Sequence, residues 1–437
     1  MIDVSITKHS LLIKNNMLKR FDEICLKNKE KLCFVDKRNE ASFECVHNDV
    51  LKMISLFKKK GIEEYETAVI FVLPSYEFYI LLIAGVYYHL NMVVIDSFKD
   101  RNRTKDMLNK ANPKTIFCTN KTRMLSFLLP NSKNFTNVSN FRKEKVEPFE
   151  YVDNKESIVL TTFTSGTTGQ AKKIERNLAD LERQMNLVKS NMTINPNENV
   201  LGTLPIYVLF SLINGYTTII SKTIDEKLIR KYKVNTLLTS IHNLLNVKKP
   251  VNNIENIYCG GAILYPREAD YLKTFFPNAK ITYVYGASEG VLIAKTTLDK
   301  YITNGYLTFD EFIDGMNVNI NDDNEIIITG ECVLNEKHEH ATGDLGILKE
   351  NKLQIVGRKK YSTNEYFNYI EDAKILNENP KVKKAFTLVL NNQKFLVFEG
   401  TLSKKYPEYK VFKFHKLPMD LKHKTKLDYS KVIKKLK

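Results

Sequence analysis

Apolar residues recur along the first third of the chain in blocks that alternate between helical and extended spacing. The spacing predicts a helix around Asn48–Lys60 that ends at Gly61, a strand at Ala68–Leu73 followed by Pro74 and Ser75, and then a second helix. That second helix opens the most apolar region, Phe78 to Ile95, which closes on a short strand at Met92–Ile95. His89 and Asn91 interrupt it and leave a pure run of about 11 residues, where a bilayer crossing needs about 20. The region therefore reads as a buried helix feeding a buried strand, with no transmembrane segment. Another strand is expected at Thr115–Cys118 after Pro113. Strands separated by helices at this spacing imply βαβ units and a mostly parallel sheet. The polar stretch Pro130–Glu150, rich in Asn, Ser and Lys, reads as a loop or subdomain join.

From Ser157 the alternation resumes with the strand IVLTTF, a turn rich in Gly, Thr and Ser, and then a helix. Asn177 is a good N-cap for that helix, with Leu178, Leu181, Met185 and Val188 on one face. Two further strand–helix alternations lead to Ile281–Tyr285. From about Asp314 short strands (VNI, EIIIT, LGILK, KLQIV) separated by turns predict a small β-rich unit. A small basic region after Lys360 completes the chain as an α+β lid. The expected fold class is α/β, with a large N-terminal domain of mixed, mostly parallel sheets flanked by helices and carrying the β-rich unit. The expected domains are 1–357, the larger one, and 358–437, a small C-terminal one.

Composition narrows the function classes. At 437 residues, with 43% hydrophobic and 27% charged residues, the chain is an ordinary globular mixture with room for two or three domains, not a disordered or fibrous one. Its formal net charge of +16 favours anionic partners such as nucleotides, coenzymes, nucleic acid or an acidic membrane surface, without choosing among them. The six cysteines are scattered with no CxxC pair, as expected of free thiols in a reducing cytoplasm. No signal peptide is legible in MIDVSITKHSLLIKNNMLKR, so a cytoplasmic location is expected.

The most informative segment is TSGTTGQAK, Thr164 to Lys172, directly after a strand. Small and hydroxyl-bearing residues leave the backbone free to approach an oligophosphate, donate N–H and O–H groups to its oxygens, and let Lys172 add a positive charge. It lacks the GxxxxGK[ST] spacing of a Walker A loop. Instead it resembles the phosphate loop of the adenylate-forming superfamily: acyl- and aryl-CoA synthetases, peptide-synthetase adenylation domains and luciferases. Further motifs of that superfamily follow in order. YCGGAIL is similar to its GGA turn at Gly260, Gly261 and Ala262, and VYGASEG to its YGxTE, with Ser288 for the usual Thr. ATGDLG resembles its TGD at Asp344, GRKK its arginine motif at Arg358, and LPMDLKHKTKLDY its C-terminal lysine motif. Each motif alone is weakly specific; five in the correct order are specific.

What the resemblance implies is an ATP- and Mg²⁺-dependent ligase that activates a carboxylic acid as acyl-adenylate and passes it to CoA, in the manner of a fatty-acid–CoA ligase. Thr164, Ser165, Gly166, Thr167, Thr168, Gly169 and Lys172 would hold the oligophosphate. Gly260, Gly261, Ala262, Tyr285, Gly286 and Ser288 would receive the adenine, the tyrosine ring stacking on it. Asp344 and Arg358 would hold the ribose, and Glu289 with Thr168 the metal. Lys426 would place a cation at the reacting carboxylate, because a carboxylate approaching an anionic α-phosphate must have its repulsion offset. The hinge residue falls at Lys360.

Several departures qualify the pattern. Ala171 replaces the usual Pro before the loop lysine. Val208 stands where relatives carry an aromatic or His that gates the acyl pocket, and Leu209 where peptide-synthetase domains carry an Asp for an α-amino group. An apolar wall there argues for a fatty or aromatic acid. The stretch after GRKK is several residues shorter than in relatives and lacks their Gly, so the lid is trimmed and the thiol acceptor stays open between CoA and the phosphopantetheine of an acidic carrier protein. A non-catalytic nucleotide- or acyl-binding relative is the reading from another class. His338 and His340 in KHEHATGD could suggest a metal pair, but no third ligand is near in sequence, and they read as a solvated loop. The basic tail KHKTKLDYSKVIKKLK lacks interleaved aromatics apart from Tyr429 and reads as a solvated helix face, with no nucleic-acid partner.

Overall fold

The computed structural model describes residues 16–95, 98, 100–129, 134–165, 171–303, 307–359, 365–419 and 427–436. Gly166, Thr167, Thr168 and Gly169 of the phosphate loop, the hinge residue Lys360 and Lys426 lie outside the described residues. The chain forms two compact units, Met1–Leu238 and Thr239–Lys437.

The first unit contains a sheet ordered Phe135–Asn137, Thr115–Cys118, Thr67–Phe71, Asn91–Val94, Ile158–Ser165, Ala171–Asn177. The first five strands are parallel and the last is antiparallel. Val69, Val93 and Phe163 build its core with Met107 and Leu108 of the helix Arg101–Ala111. A second run of strands, Thr236–Ser240, Asn199–Gly202, Thr217–Ile220 and Leu32–Val35, is parallel and ends on the antiparallel edge Glu40–Ser42. The apolar region behaves as its pattern predicts: helix Tyr76–Tyr87 is buried along its length and leads into strand Asn91–Val94. The helix expected around Asn48 begins earlier, at Phe43, because the Ser42 hydroxyl accepts from the Cys45 N–H and caps it there.

Two expectations are corrected in this unit. The hydroxyl-rich turn is followed not by the helix but by the strand Ala171–Asn177, which pairs back on Ile158–Ser165. Its burial alternates only partly, so the period-2 signal is weak in the sequence. The helix Leu178–Asn191 starts beyond it, with Asn177 and Asp180 in a reciprocal capping box. The stretch Pro130–Glu150 is also more than a join. Phe135–Asn137 adds an edge strand, Phe141 is buried, and the Arg142 guanidinium donates to buried Asp49 at 2.8 Å.

In the second unit, Asn256–Gly260 and Lys280–Tyr285 pair in parallel, and Ala294–Thr297 and Glu311–Phe312 continue the sheet antiparallel. A second sheet runs Asn317–Ile320, Glu325–Thr329, Glu339–Lys349, Lys352–Lys359, Tyr366–Asn368, Val382–Leu390, Gln393–Gly400, Lys410–Phe414, with Thr308–Phe309 also paired to Lys352–Lys359. Strands Lys352–Lys359 and Tyr366–Asn368 pair antiparallel, Lys359 facing Tyr366, Arg358 facing Phe367 and Gly357 facing Asn368. The α+β reading of the tail holds: helices Tyr369–Glu378 and Tyr429–Leu436 accompany its strands. Among the described residues no helix is long and apolar enough to cross a membrane, and none of the six cysteines is disulfide-bonded.

Candidate functional site

The polar centre of the second unit is assembled by strand register. Asp344 lies directly opposite Arg358 in the antiparallel pair Glu339–Lys349 and Lys352–Lys359, so their side chains emerge on one face. Arg358 Nη1 donates to Asp344 Oδ1 at 2.6 Å. Tyr285, the last residue of strand Lys280–Tyr285, donates its hydroxyl to Asp344 Oδ2 at 2.9 Å. The Asp344 carboxylate holds the Arg358 guanidinium well above its usual range, against the opposing effect of burial. Burial first, and Asp344 second, raise the Tyr285 phenol. A carboxylate flanked by a guanidinium and a phenol, with a second lone pair on each oxygen, can accept two hydroxyls of a sugar.

The bend that presents Asp344 is held from behind. Gly343 takes φ of +79°, a conformation that favours glycine, and its N–H donates to Glu325 Oε1 at 2.9 Å. Glu325 Oε2 accepts from Lys359 Nζ at 3.0 Å, so one buried carboxylate ties the strand before the bend to the residue after Arg358. Thr342 Oγ1 donates to the Ile326 carbonyl and accepts from Asp344 N.

The glycine motifs are shaped by close approach. A side chain at Gly260 would meet the Val284 carbonyl oxygen, and one at Gly286 the Val291 carbonyl oxygen. Gly261 takes φ of +83°, and the Ala262 carbonyl accepts from Tyr283 Oη at 2.7 Å. The turn after Tyr285 closes with Val291 N donating to Ala287 O at 2.7 Å and Val291 itself at φ of +61°, a strained setting for a β-branched residue. Ser288 is exposed and Glu289 is buried. The Tyr285 ring packs on Phe309, centroids 5.7 Å apart, and is itself buried.

Three residues to which sequence reasoning gave no role interact with the ones it singled out. Glu325 is one. The second is Tyr369, the first residue of helix Tyr369–Glu378, whose phenol is raised by burial and then by Asp344. The third is His340, and here the solvated-loop reading is corrected. It lies in strand Glu339–Lys349, and its Nε2 is 3.5 Å from Glu289 Oε2, with side chains 15% and 11% exposed. The partner comes from a position 51 residues earlier (340 − 289), which no local pattern could reveal.

In the first unit, Thr164 and Ser165 end strand Ile158–Ser165, and Lys172 pairs opposite Thr164. Val208 and Leu209 sit in helix Pro205–Ile213 and are buried in its packing, Val208 against Gly202.

Parallel strands flanked by helices, glycine turns pressed against backbone and a carboxylate–guanidinium–phenol centre define an α/β protein with the means to hold a nucleoside. The chain belongs to the AMP-binding enzyme family, whose model matches residues 21–333. Among curated proteins it is similar to a D-alanine–D-alanyl carrier protein ligase of Staphylococcus aureus, 25% identical over 321 residues covering 67% of this chain and 60% of that protein. It is also similar to a 2-succinylbenzoate–CoA ligase of Staphylococcus epidermidis, 23% identical over 313 residues, 64% of this chain and 63% of that protein. The chain thus spans about 60% of the length of the first of these relatives. An O-succinylbenzoate coenzyme A synthetase from Bacillus subtilis in complex with AMP superposes with a TM-score of 0.78 at 15% identity, covering 93% of this chain and 96% of that one. An amide bond synthetase from Marinactinospora thermotolerans gives 0.81 at 13%, covering 96% and 99%. These likenesses show the adenylate-forming fold.

Proposed function

We propose that the protein is an ATP-dependent ligase that joins a carboxylic acid to a thiol through an acyl-adenylate. The observation that carries this reading is the Asp344–Arg358–Tyr285 centre, in which the residues the sequence assigns to a ribose and its base are brought within hydrogen-bond distance of one another. In the first half-reaction a carboxylate oxygen attacks the α-phosphorus, the bond to the β-phosphate oxygen breaks, and pyrophosphate leaves. Asp344 and Arg358 would hold the ribose, Thr164 to Lys172 would receive the departing phosphates, Glu289 with Thr168 would hold the metal, which would offset phosphate charge, and Lys426 would neutralise the incoming carboxylate. In the second half-reaction a thiolate attacks the acyl carbon and AMP leaves.

The acid is an apolar one, fatty or aromatic, because helix Pro205–Ile213 carries Leu209 where an amino-acid-activating relative would have a carboxylate. The acceptor is CoA. A second reading, transfer to the phosphopantetheine of a carrier protein, is favoured by the net charge of +16, since an acidic partner would meet it, and by the carrier protein ligase among its relatives. The C-terminal region acts as the lid, turning about Lys360, and the protein works in the cytoplasm.

A panel of carboxylic acids screened by pyrophosphate release tests the first half-reaction. At least one apolar acid should stimulate release, and Lys426→Ala should abolish it. Equal silence of wild type and variant with every acid refutes the catalytic reading. Free CoA against a holo-carrier protein as acceptor then separates the two ligases.

A further inference from the structure

We propose that His340 and Glu289 together form a nitrogen–oxygen site for the divalent cation that accompanies the nucleotide, a proposal that rests on the nucleotide reading above. His340 Nε2 and Glu289 Oε2 stand 3.5 Å apart. That is long for a hydrogen bond, whose nitrogen–oxygen distance centres near 2.9–3.0 Å. It is wider by roughly 0.5 Å than the separation of two neighbouring ligands on one octahedral ion, where bonds of about 2.1 Å at a right angle place N and O about 3.0 Å apart, so the pair closes by that amount on an ion held between them.

The surrounding backbone fixes both residues. Leu334 N donates to the Glu289 carbonyl at 3.1 Å, Gly330 N to the His338 carbonyl at 3.0 Å, and His338 Nδ1 lies 3.0 Å from the Val333 carbonyl. The turn at 330–338 is thereby tied both to Glu289 and to the residue two before His340. The ring of His338 is spent on that turn and leaves His340 as the histidine facing the carboxylate. Both side chains are mostly buried, which lowers the entropy lost when an ion orders them. Among the described residues no group of three or more His, Cys, Asp or Glu is placed to hold an ion, so Thr168, phosphate oxygens and water would complete the shell.

An imidazole ligand changes the ion preferred. Magnesium is hard and favours oxygen, whereas manganese, cobalt and zinc accept imidazole nitrogen readily. This site therefore prefers Mn²⁺ to Mg²⁺ more strongly than a site of carboxylate and phosphate oxygens alone.

The test is pulsed electron paramagnetic resonance of Mn²⁺ bound to the full chain with ATP, using isotopically labelled histidine so that adenine nitrogen is told apart from imidazole. Labelled-nitrogen coupling is expected in wild type and in His338→Gln, and its absence in His340→Gln and His340→Asn. The His340 variants should also bind Mn²⁺ about tenfold or more weakly, with Mg²⁺ binding nearly unchanged. Wild type without histidine coupling, or coupling that survives in folded His340→Gln, overturns the proposal. Metal-free binding of a fluorescent ATP analogue separates the two readings: if the analogue binds and the coupling is absent, only the His340 assignment falls. If the analogue does not bind at all, the nucleotide reading falls and takes this proposal with it.

Discussion

Gly286 and Val291 show how much of the site is decided by single backbone positions. A side chain at Gly286 would press on the Val291 carbonyl oxygen, whose carbon and neighbour Leu292 are backbone and cannot swing aside. Gly286→Ala is therefore expected to open the turn, lower the melting temperature and abolish ATP-analogue binding. Val291→Gly works in the opposite direction. The left-handed backbone costs a side-chain-bearing residue roughly 1–2 kcal/mol, and the extra freedom glycine adds to the unfolded chain takes back about 0.5–1. Thermal melting should place Val291→Gly at or above wild type and Gly286→Ala clearly below it; the reverse order would remove strain from the account of this turn. Glycine and tyrosine in VYGASEG were legible from the letters alone, because glycine's tolerance of close approach is a property of the residue. The strain at Val291 was not, since nothing in a sequence reports a positive φ at a β-branched residue.

The elements of the second unit are held by carboxylates that join one strand or helix to another. Glu325 accepts both the Gly343 N–H and the Lys359 ammonium, and so couples three strands around Asp344. Glu325→Ala would leave a buried N–H unsatisfied, at a cost of about 1–3 kcal/mol, and loosen the bend that carries Asp344. Glu325→Gln keeps an acceptor for Gly343. Calorimetric titration with ATP should show a larger loss of affinity for the alanine variant than for the glutamine one; equal losses would mean that the Lys359 pairing, not the bend, matters.

Two other buried carboxyls make stability depend on pH. Asp372 accepts from Tyr265 Oη at 2.9 Å and from Thr387 Oγ1 at 2.8 Å, and the charge of Glu371 also raises it. Burial, outweighing those hydrogen bonds, raises it to about 7. Glu268 caps its own helix at Tyr265 N and is likewise raised by burial to about 7, against Arg267 and Lys384. Both groups bind their protons more tightly folded than unfolded, where carboxyls titrate near 4. The folded state thus holds extra protons between about pH 4 and 7, and stability falls as pH rises through that window. The melting temperature of wild type should drop from pH 5 to pH 7, and Asp372→Asn should flatten the slope; an unchanged slope would place the proton elsewhere. Hydrophobic period and caps made the individual elements readable, down to Asn177 as the residue opening Leu178–Asn191. The strand Ala171–Asn177 escaped because partner strands, not local pattern, stabilise an antiparallel edge.

At the scale of the whole molecule, motif order along the chain carried the family, and strand register then carried the site. Asp344 and Arg358 are 14 residues apart and could be paired from the hairpin between them. Tyr285, Glu289, His340 and Tyr369 converge from distant segments, and only folding brings them together. The pairing of Arg358 with Phe367 was equally hidden, because it is set by the register of two strands and not by a local pattern. The central claim is that this centre holds the ribose of ATP while an acid is adenylated. Acid-dependent exchange of labelled pyrophosphate into ATP measures that step without any thiol acceptor. Wild type should exchange with at least one apolar acid, and Asp344→Ala should lose roughly tenfold to a hundredfold through weaker ATP binding, the range to which a charge-assisted contact worth about 1.5–3 kcal/mol corresponds. Exchange by Asp344→Ala at the wild-type rate, or no exchange by wild type with any acid, would contradict it.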